Sequence, residues 1–498
     1  MPDTVAQGAT NPQIVRAGEC AGNSAFFGYT GGMEAHEASV SGLFTPENLE
    51  FLLLSFEGPD RPYSLAGGLG VRVDELSQAL AQCGFVTHLI FVGDPDLPGH
   101  EVREEGRLIL HRWCQWISRY HRAGVYDGEE GKVADFNESV PPFVVESIVR
   151  PAHERGRVVA ILAEEWHTAE ATCRISDLLH WHGLRQQVLL LWNANNVFSF
   201  HRINWGRLGY VAAITTVSRY MKHIMWDLGL NPLVIPNGIP ERFLEPPNEA
   251  AVATLRAAVG GSPLLFKIGR FDPDKRWIMA VEAVARLKER GLPVKFLMRG
   301  GIEPHGGEVM AHARWRGLRV RDVDAPRGDD GAAMQALAAA APGADVLNLR
   351  FFVSDDFKRV CYAASDAVLA NSGHEPFGIV GLEVMGAGGV AVVGATGEDY
   401  AISFHNSLVT ETDDAEEIVG YLMHLRSRPA LVEEIRREAR RTAALFTWPE
   451  VIENLLGKLE YLALTKGVAP APPAAAQPAQ PEEGLQPPAA TLAEQPLR

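Results

Sequence analysis

Short apolar runs alternate with amphipathic segments through most of the chain. FLLLSF (51–56), THLIFVG (87–93), VVAILA (158–163), VLLLW (188–192), AAITTVS (212–218) and LVIP (233–236) read as strands. LLFKIG (264–269), VKFLM (294–298), DVLNL (345–349), AVLA (367–370) and VAVVG (390–394) form a second set. These runs are nearly continuous rather than strictly alternating, which suits strands covered on both faces, as in parallel sheets. One intervening helix is well marked. WIMAVEAVARLKERG (277–291) keeps an apolar stripe, carries basic residues near its end, and stops at Gly291 with Pro293 beyond. Strand, helix and strand repeated this often predict a doubly wound α/β architecture.

The pattern also divides the chain. NGIPERFLEPPNEAA (237–251) is rich in Pro, Asn and Gly and separates the two strand sets, so a hinge is expected there. The predicted organisation is a flexible extension over 1–47, a first domain over 48–240, a linker over 241–261, a second domain over 262–446, and a helix over 447–466. Residues 24–44 of the extension are left open to dock on the body. Thr447-Trp448-Pro449-Glu450 reads as a capping box for the last helix. Residues 467–498 hold eight Pro and nine Ala with almost no large apolar side chain, the composition of a disordered tail.

Composition narrows the function. The 498 residues carry a formal charge of −16, against the basic face that nucleic-acid phosphates call for. Five cysteines (Cys20, Cys83, Cys114, Cys173, Cys361) lie far apart with no CxxC pair, which fits a reducing compartment better than a disulfide framework or a thiolate metal cluster. The start, MPDTVAQGATNPQ, has no secretory pattern. No run reaches about 18 uninterrupted apolar residues, so no spanning helix is expected. A soluble, cytoplasmic protein is the expectation.

Three segments carry candidate chemistry. In SLAGGLGVRVDELSQALAQCG (64–84), Gly67, Gly68 and Gly70 lie between a strand and a helix, where missing Cβ atoms admit close approach and a helix start offers N–H groups to an anion. It is not the GxGxxG of a dinucleotide site, and no strand-end acidic residue follows, which sets a nicotinamide oxidoreductase aside. KIGRFDPDKRW (267–277) brings Arg270 and Lys275 into one loop, as a diphosphate requires; alternatively Asp272 and Asp274 neutralise two surface cations. In NSGHEPFGIVGLEVMGAGGVAVVG (371–394), Glu375 falls in the loop mouth of a parallel sheet and Glu383 in the following helix. The amides of Gly378, Ile379 and Val380 stand at that helix's start.

Together these segments resemble the retaining glycosyltransferases of family 4. EPFGIVGLE resembles the family's E-x7-E motif, GRFDPDK its G-R-x4-K loop and VIPNGIPERF its interdomain segment, with TTVSRYMK (215–222) and AGGLG (66–70) in order. AGGLG and EEWHTA (164–169) are similar to the glycogen/starch-synthase branch. The resemblance covers about 50–460 and implies a GT-B fold: two Rossmann-like domains facing a central cleft, acceptor domain first and nucleotide-sugar donor domain second. It implies transfer of a hexose from a nucleoside-diphosphate sugar to a glycan or small acceptor, with retention, no bound metal and no cofactor.

Position by position, the resemblance assigns Arg270 and Lys275 to the donor diphosphate and Glu383 to the ribose hydroxyls. Glu375, with the backbone of Phe377, Gly378 and Ile379 and with Val380 beside them, is assigned to sugar and phosphate. Gly67 and Gly68 would close over the donor. Departures accompany it. Leu65-Ala66 stand where that branch usually has a Lys, and WNANN places Asn195 where the family often has a sugar-facing His. Glu165 and His167 are candidates for the acceptor cleft or for packed core positions. Residues 111–143 have no family counterpart and would shape an acceptor site or cover an edge. The alternatives are a nonenzymatic nucleotide-sugar-binding protein, favoured by Asn195, and a sugar phosphorylase of the same fold.

Overall fold

A computed structural model describes residues 42–470. Two parallel sheets, each sandwiched by helices, face one another across a cleft. The first has β1 (Leu49–Leu54), β2 (Val86–Val92), β3 (His100–Arg103), β4 (Leu108–Trp113), β5 (Val158–Glu164), β6 (Val188–Ala194), β7 (Ala213–Thr216) and β8 (Leu233–Val234), in the order β3-β4-β2-β1-β5-β6-β7-β8. Only the β3–β4 pair is antiparallel. The second has β9 (Leu264–Ile268), β10 (Lys295–Arg299), β11 (Val320–Val323), β12 (Val346–Leu349), β13 (Ala367–Ala370), β14 (Ala391–Gly394) and β15 (Leu408–Thr410), in the order β11-β12-β10-β9-β13-β14-β15.

The continuous apolar runs are the covered central strands. Every residue of β1, β5 and β6 is buried. The unpredicted strands are β3, β4, β11 and β15. Edge strands β3 (HEVR) and β11 (VRDV) are short and mostly polar, so no apolar run marks them, and their charged residues resist pairing with another chain. In each sheet the strand order reverses beside the first strand, between β1 and β5 and between β9 and β13. Loops leaving those strands open a crevice at the carboxyl edge, where open α/β sheets hold ligands.

Both ends of the described stretch, and the hinge segment, pack on the sheets. Phe44 is fully buried and the Leu43 amide donates to Glu460 Oε1 at 2.7 Å, so packing begins within the stretch expected to be loose; residues 1–41 and the Pro/Ala segment from 471 lie outside the described residues. The last helix, Trp448–Lys466, returns to the first sheet, burying Trp448, Ile452, Leu455 and Leu459 against Leu49, Phe51 and Leu53. Its expected capping box is absent, since the Thr447 side chain makes no cap hydrogen bond. The hinge segment 237–251 instead pairs with the stretch at the start of this helix, Ile239 N donating to Phe446 O (2.8 Å) and Trp448 N to Ile239 O (3.2 Å). A Cβ on Gly238 would lie 2.5 Å from the Trp448 ring, so this crossing admits only glycine. Among the described residues no helix is long and apolar enough to cross a membrane.

The 111–143 segment completes β4, turns at Cys114 (φ 54°), and forms helix Glu129–Phe143. Pro141 and Pro142 remove two donors there, and the helix widens into a π-helical turn at Val144–Val149. The Asn137 carbonyl, four residues before Pro141, accepts instead from Arg174 at 3.3 Å. Lys132, fully buried, donates to Tyr63 Oη (2.8 Å) and to the carbonyls of Gly124 (3.1 Å) and Val125 (3.0 Å). All three donors are satisfied, which is what makes a buried ammonium tolerable. The residues so pinned lead directly into Tyr126.

Candidate active site

The thirteen residues that the sequence assigns to donor or acceptor line one cleft of ≈ 900 Å³ between the two sheets, while Gly70 of the glycine loop does not. Its second-sheet wall comes from the loops after β9 and β13. Past Ile268 the backbone turns through Gly269 (φ 154°), and the Arg270 carbonyl accepts from Trp277 Nε1 at 2.7 Å. Asp272 caps the next turn by accepting from Asp274 N (2.9 Å), while Asp274 accepts from the His374 amide (3.1 Å). Neither acid therefore neutralises the cations. Arg270 is exposed and makes no ion pair among the described residues, and Lys275 pairs directly with Glu375.

Burial works to raise the Glu375 pKa, but Lys275 beside it more than reverses this, so the carboxyl titrates below its ordinary value. Beneath the pair lies Lys267, 2% exposed, donating to Leu369 O (2.8 Å) and Asn371 Oδ1 (2.7 Å). Burial, with Lys275 nearby, holds its amine well below the usual lysine range. The Glu375 amide donates to Thr396 Oγ1 at 3.1 Å. Phe377 is buried against Tyr400 and Phe446. Gly378 (φ 83°) begins helix Ile379–Gly386, and a Cβ there would lie 2.9 Å from the Tyr400 hydroxyl. The first-turn amides at Ile379 and Val380 have no helical partner by position. Glu383, in the second turn, accepts from Tyr362 Oη (2.8 Å) and lies 3.5 Å from Lys358 Nζ.

The first-sheet wall departs from expectation. The glycine loop was expected to offer its amides to an incoming anion. Instead Glu57, just beyond β1, fills that nest: its Oε2 accepts from the amides of Ala66 (3.2 Å), Gly67 (2.7 Å) and Gly70 (3.0 Å). A Cβ on Gly70 would sit 3.0 Å from the same oxygen. Tyr126 donates to the other oxygen at 2.5 Å. Asn195 lies in the cleft lining, and its Nδ2 donates to Glu164 Oε2 at 2.7 Å, which takes one of its two N–H groups. Buried Glu164 also takes Asn193 Nδ2 (2.8 Å) and Arg72 Nε (3.2 Å).

Glu165 has φ 67°, a left-handed backbone costly for a non-glycine residue and concentrated at functional sites. Its Oε1 accepts from the amides of Asn195 (2.7 Å) and Asn196 (3.1 Å). Burial nevertheless pushes its pKa up to about 8, with Glu164 adding to the rise. His167 stacks between Phe56 (4.1 Å) and Trp166 (4.0 Å), and its Nε2 meets Glu129 Oε1 at 2.8 Å. Burial lowers its pKa to about 3, keeping the imidazole neutral.

Glu57, Tyr126, Glu129, Tyr362, Lys358 and Arg61 line the cleft but carried no sequence motif. Glu57 alone had a usable signal, its place directly after a predicted strand. Arg61 is exposed beside the glycine loop and makes no ion pair among the described residues. A cation therefore lines the cleft near the loop that lacks the preceding lysine.

Residues 256–442 match the family described as Glycosyl transferases group 1. The chain is 25% identical over 236 residues to the GDP-mannose-dependent alpha-(1-6)-phosphatidylinositol dimannoside mannosyltransferase of Mycobacterium tuberculosis, covering 47% of this chain and 54% of that one, about half its length. It is 23% identical to the glycogen synthase of Bordetella petrii over 82% of this chain and 93% of that protein. Among solved structures, sucrose-phosphate synthase from Thermosynechococcus elongatus superposes with a TM-score of 0.60 at 18% identity, covering 84% of this chain and 99% of that one. The second sheet and its helices are thus a group 1 glycosyl transferase domain, set in a chain of the GT-B fold.

Proposed function

We propose that the protein is a retaining glycosyltransferase that moves a hexose from a nucleoside-diphosphate sugar to a glycan or small acceptor without a metal. The observation that carries this reading is the second-sheet wall. An unpaired guanidinium, a lysine–glutamate pair and an open helix start converge on the carboxyl edge of a parallel sheet. Such an arrangement suits a sugar diphosphate, whose leaving group gains negative charge as the glycosidic bond breaks. Arg270 and Lys275 would stabilise that charge, an electrostatic term worth about 3–4 kcal/mol per removed donor in acyl-transfer enzymes. Donor binding would draw Lys275 partly from Glu375 toward phosphate, leaving the carboxylate to the sugar. Glu383, held by Tyr362 and Lys358, would accept the ribose hydroxyls. The glycosyltransferase relatives support this assignment of activity. Release of nucleoside diphosphate from a panel of NDP-sugars, with and without EDTA, tests it. EDTA-insensitive release with inversion at the anomeric carbon would remove retention, and absence of release with every donor would remove the activity.

A nonenzymatic nucleotide-sugar-binding protein is the second reading. Asn195 supports it: it stands where the family often has a sugar-facing imidazole, and it cannot carry a proton. The two readings part on turnover, since both expect nucleotide binding.

A further inference from the structure

One carboxylate of the second sheet finds its hydrogen-bond donor on the first. Asp399 lies in the loop that follows β14, and its side chain is 8% exposed. Among the described residues its carboxylate accepts only from the backbone amide of Arg219, at 3.2 Å and 3.0 Å to the two oxygens. Arg219 opens helix Arg219–Trp226 beyond β7, two residues after Val217, which lines the cleft. Ser218 caps that helix by accepting from the Met221 amide at 3.0 Å, which leaves the Arg219 amide for Asp399. A carboxylate at a helix start is favoured by the end charge as well as by the hydrogen bond. The Arg219 guanidinium adds less, standing 3.8 Å away and 66% exposed. One turn on, His223 Nδ1 lies 3.4 Å from Glu398 Oε1, an exposed contact of little weight.

The same loop holds the second-sheet wall. Thr396 Oγ1 accepts from the Glu375 amide at 3.1 Å, and Tyr400 Oη donates to Gly378 O at 2.5 Å. That hydroxyl is wedged into the helix start, since a Cβ on Gly381 would lie 2.6 Å from it. Asp399 stands between these two contacts in the chain. We infer that Asp399 is a positioning residue: seated on the first-sheet helix, it fixes the loop that sets Glu375 and Gly378. The second-sheet wall therefore takes its working shape only against the first sheet. A carboxylate this buried would lose its donor if the sheets parted, which ties the order of the loop to their approach. Its effect on turnover rests on the transferase reading above; the contact itself does not.

Hydrogen–deuterium exchange of the full chain tests this with Asp399→Ala, Asp399→Asn, Arg219→Pro and Arg219→Ala. Proline suits the first position of a helix, and Ser218 before it is already extended (φ −156°, ψ 163°), so Arg219→Pro removes the amide donor and keeps the helix. Asp399→Ala and Arg219→Pro should each raise exchange about tenfold at 374–380 and 396–402, with the rest of the second sheet as in the native protein. Asp399→Asn keeps a neutral acceptor and should fall between, while Arg219→Ala keeps the amide and should exchange as the native protein does. Combining Asp399→Ala with Arg219→Pro should add nothing further. In the same proteins, kcat for nucleotide release from an NDP-sugar should fall about tenfold or more in Asp399→Ala and Arg219→Pro. Three results overturn the inference: unchanged exchange at 374–380 in both of those variants, an increase spread over both sheets, or Arg219→Ala matching Arg219→Pro. No turnover of any NDP-sugar by the native protein defeats the transferase reading and leaves exchange to decide this one. Raised exchange with unchanged kcat does the reverse.

Discussion

The two walls of the cleft are built on the same plan and filled with opposite chemistry. Each is the carboxyl edge of a parallel sheet at the point where strand order reverses. On the second sheet, Arg270, Lys275 and the helix start after Gly378 stay open or pair with a single exchangeable partner. On the first sheet, the equivalent glycine loop closes on its own carboxylate, Glu57, and the buried acids Glu164 and Glu165 take asparagine and backbone donors. One fold can present an anion-binding edge or saturate it internally, and the choice rests on the residue placed just beyond the first strand.

Substitutions at matched positions sharpen that contrast. Lys275→Ala should have the largest effect, lowering kcat/KM for the donor by about 100- to 1,000-fold, as loss of a charge-stabilising donor does elsewhere. Steady-state kinetics with the cognate NDP-sugar measure it, and a change below threefold would contradict the assignment. Glu57→Ala leaves three amides and the Tyr126 hydroxyl without their partner, and should cost about 1–3 kcal/mol of stability in thermal or denaturant unfolding. If the nest serves the donor instead, Glu57→Ala should tighten nucleotide binding.

A third prediction concerns pH. The Glu165 pKa rises from 4.5 in the unfolded chain to about 8 in the folded one. The folded state therefore holds a proton that the unfolded state releases above 4.5. Stability contributed by this group is complete below about pH 4.5 and is lost as pH rises through 8. Glu165→Gln mimics the protonated acid, so its melting temperature relative to the native protein should climb between pH 5 and 8. A constant offset would show that the carboxyl is ionised throughout. His167 acts oppositely, its pKa lowered from 6.5 to about 3, so its contribution is present above 6.5 and lost as pH falls. The smallest effect is expected at Lys358→Met. Tyr362 still holds Glu383, so affinity for ribose-bearing nucleotides should shift only about two- to fivefold, and pyrophosphate affinity not at all.

The same contrast explains how much was legible in the sequence. The central strands were readable because burial on both faces leaves an unbroken apolar run, and Lys275 and Glu375 because each sits in a contiguous motif after a strand. The first wall was legible only in part. Its glycine loop, Glu165, His167 and Asn195 were singled out, but Glu57, Tyr126 and Glu129 are brought to them from separate segments by the β1–β5 reversal and by Lys132, and no local pattern encodes that convergence. AGGLG showed the shape of an anion nest, but a motif cannot show that a carboxylate ten residues earlier fills it. The edge strands β3 and β11 were missed because four-residue stretches of mixed polarity carry no apolar run.

The central claim is that the second-sheet wall binds a nucleoside diphosphate through Arg270 and Lys275. Isothermal titration of ADP, UDP and GDP into the native protein, Arg270→Ala and Lys275→Ala, each with EDTA, tests it most directly. The account predicts saturable one-to-one binding of at least one nucleotide to the native protein, weakened by about tenfold or more in each variant. Equal affinity in all three proteins, or binding that requires a divalent cation, would contradict it.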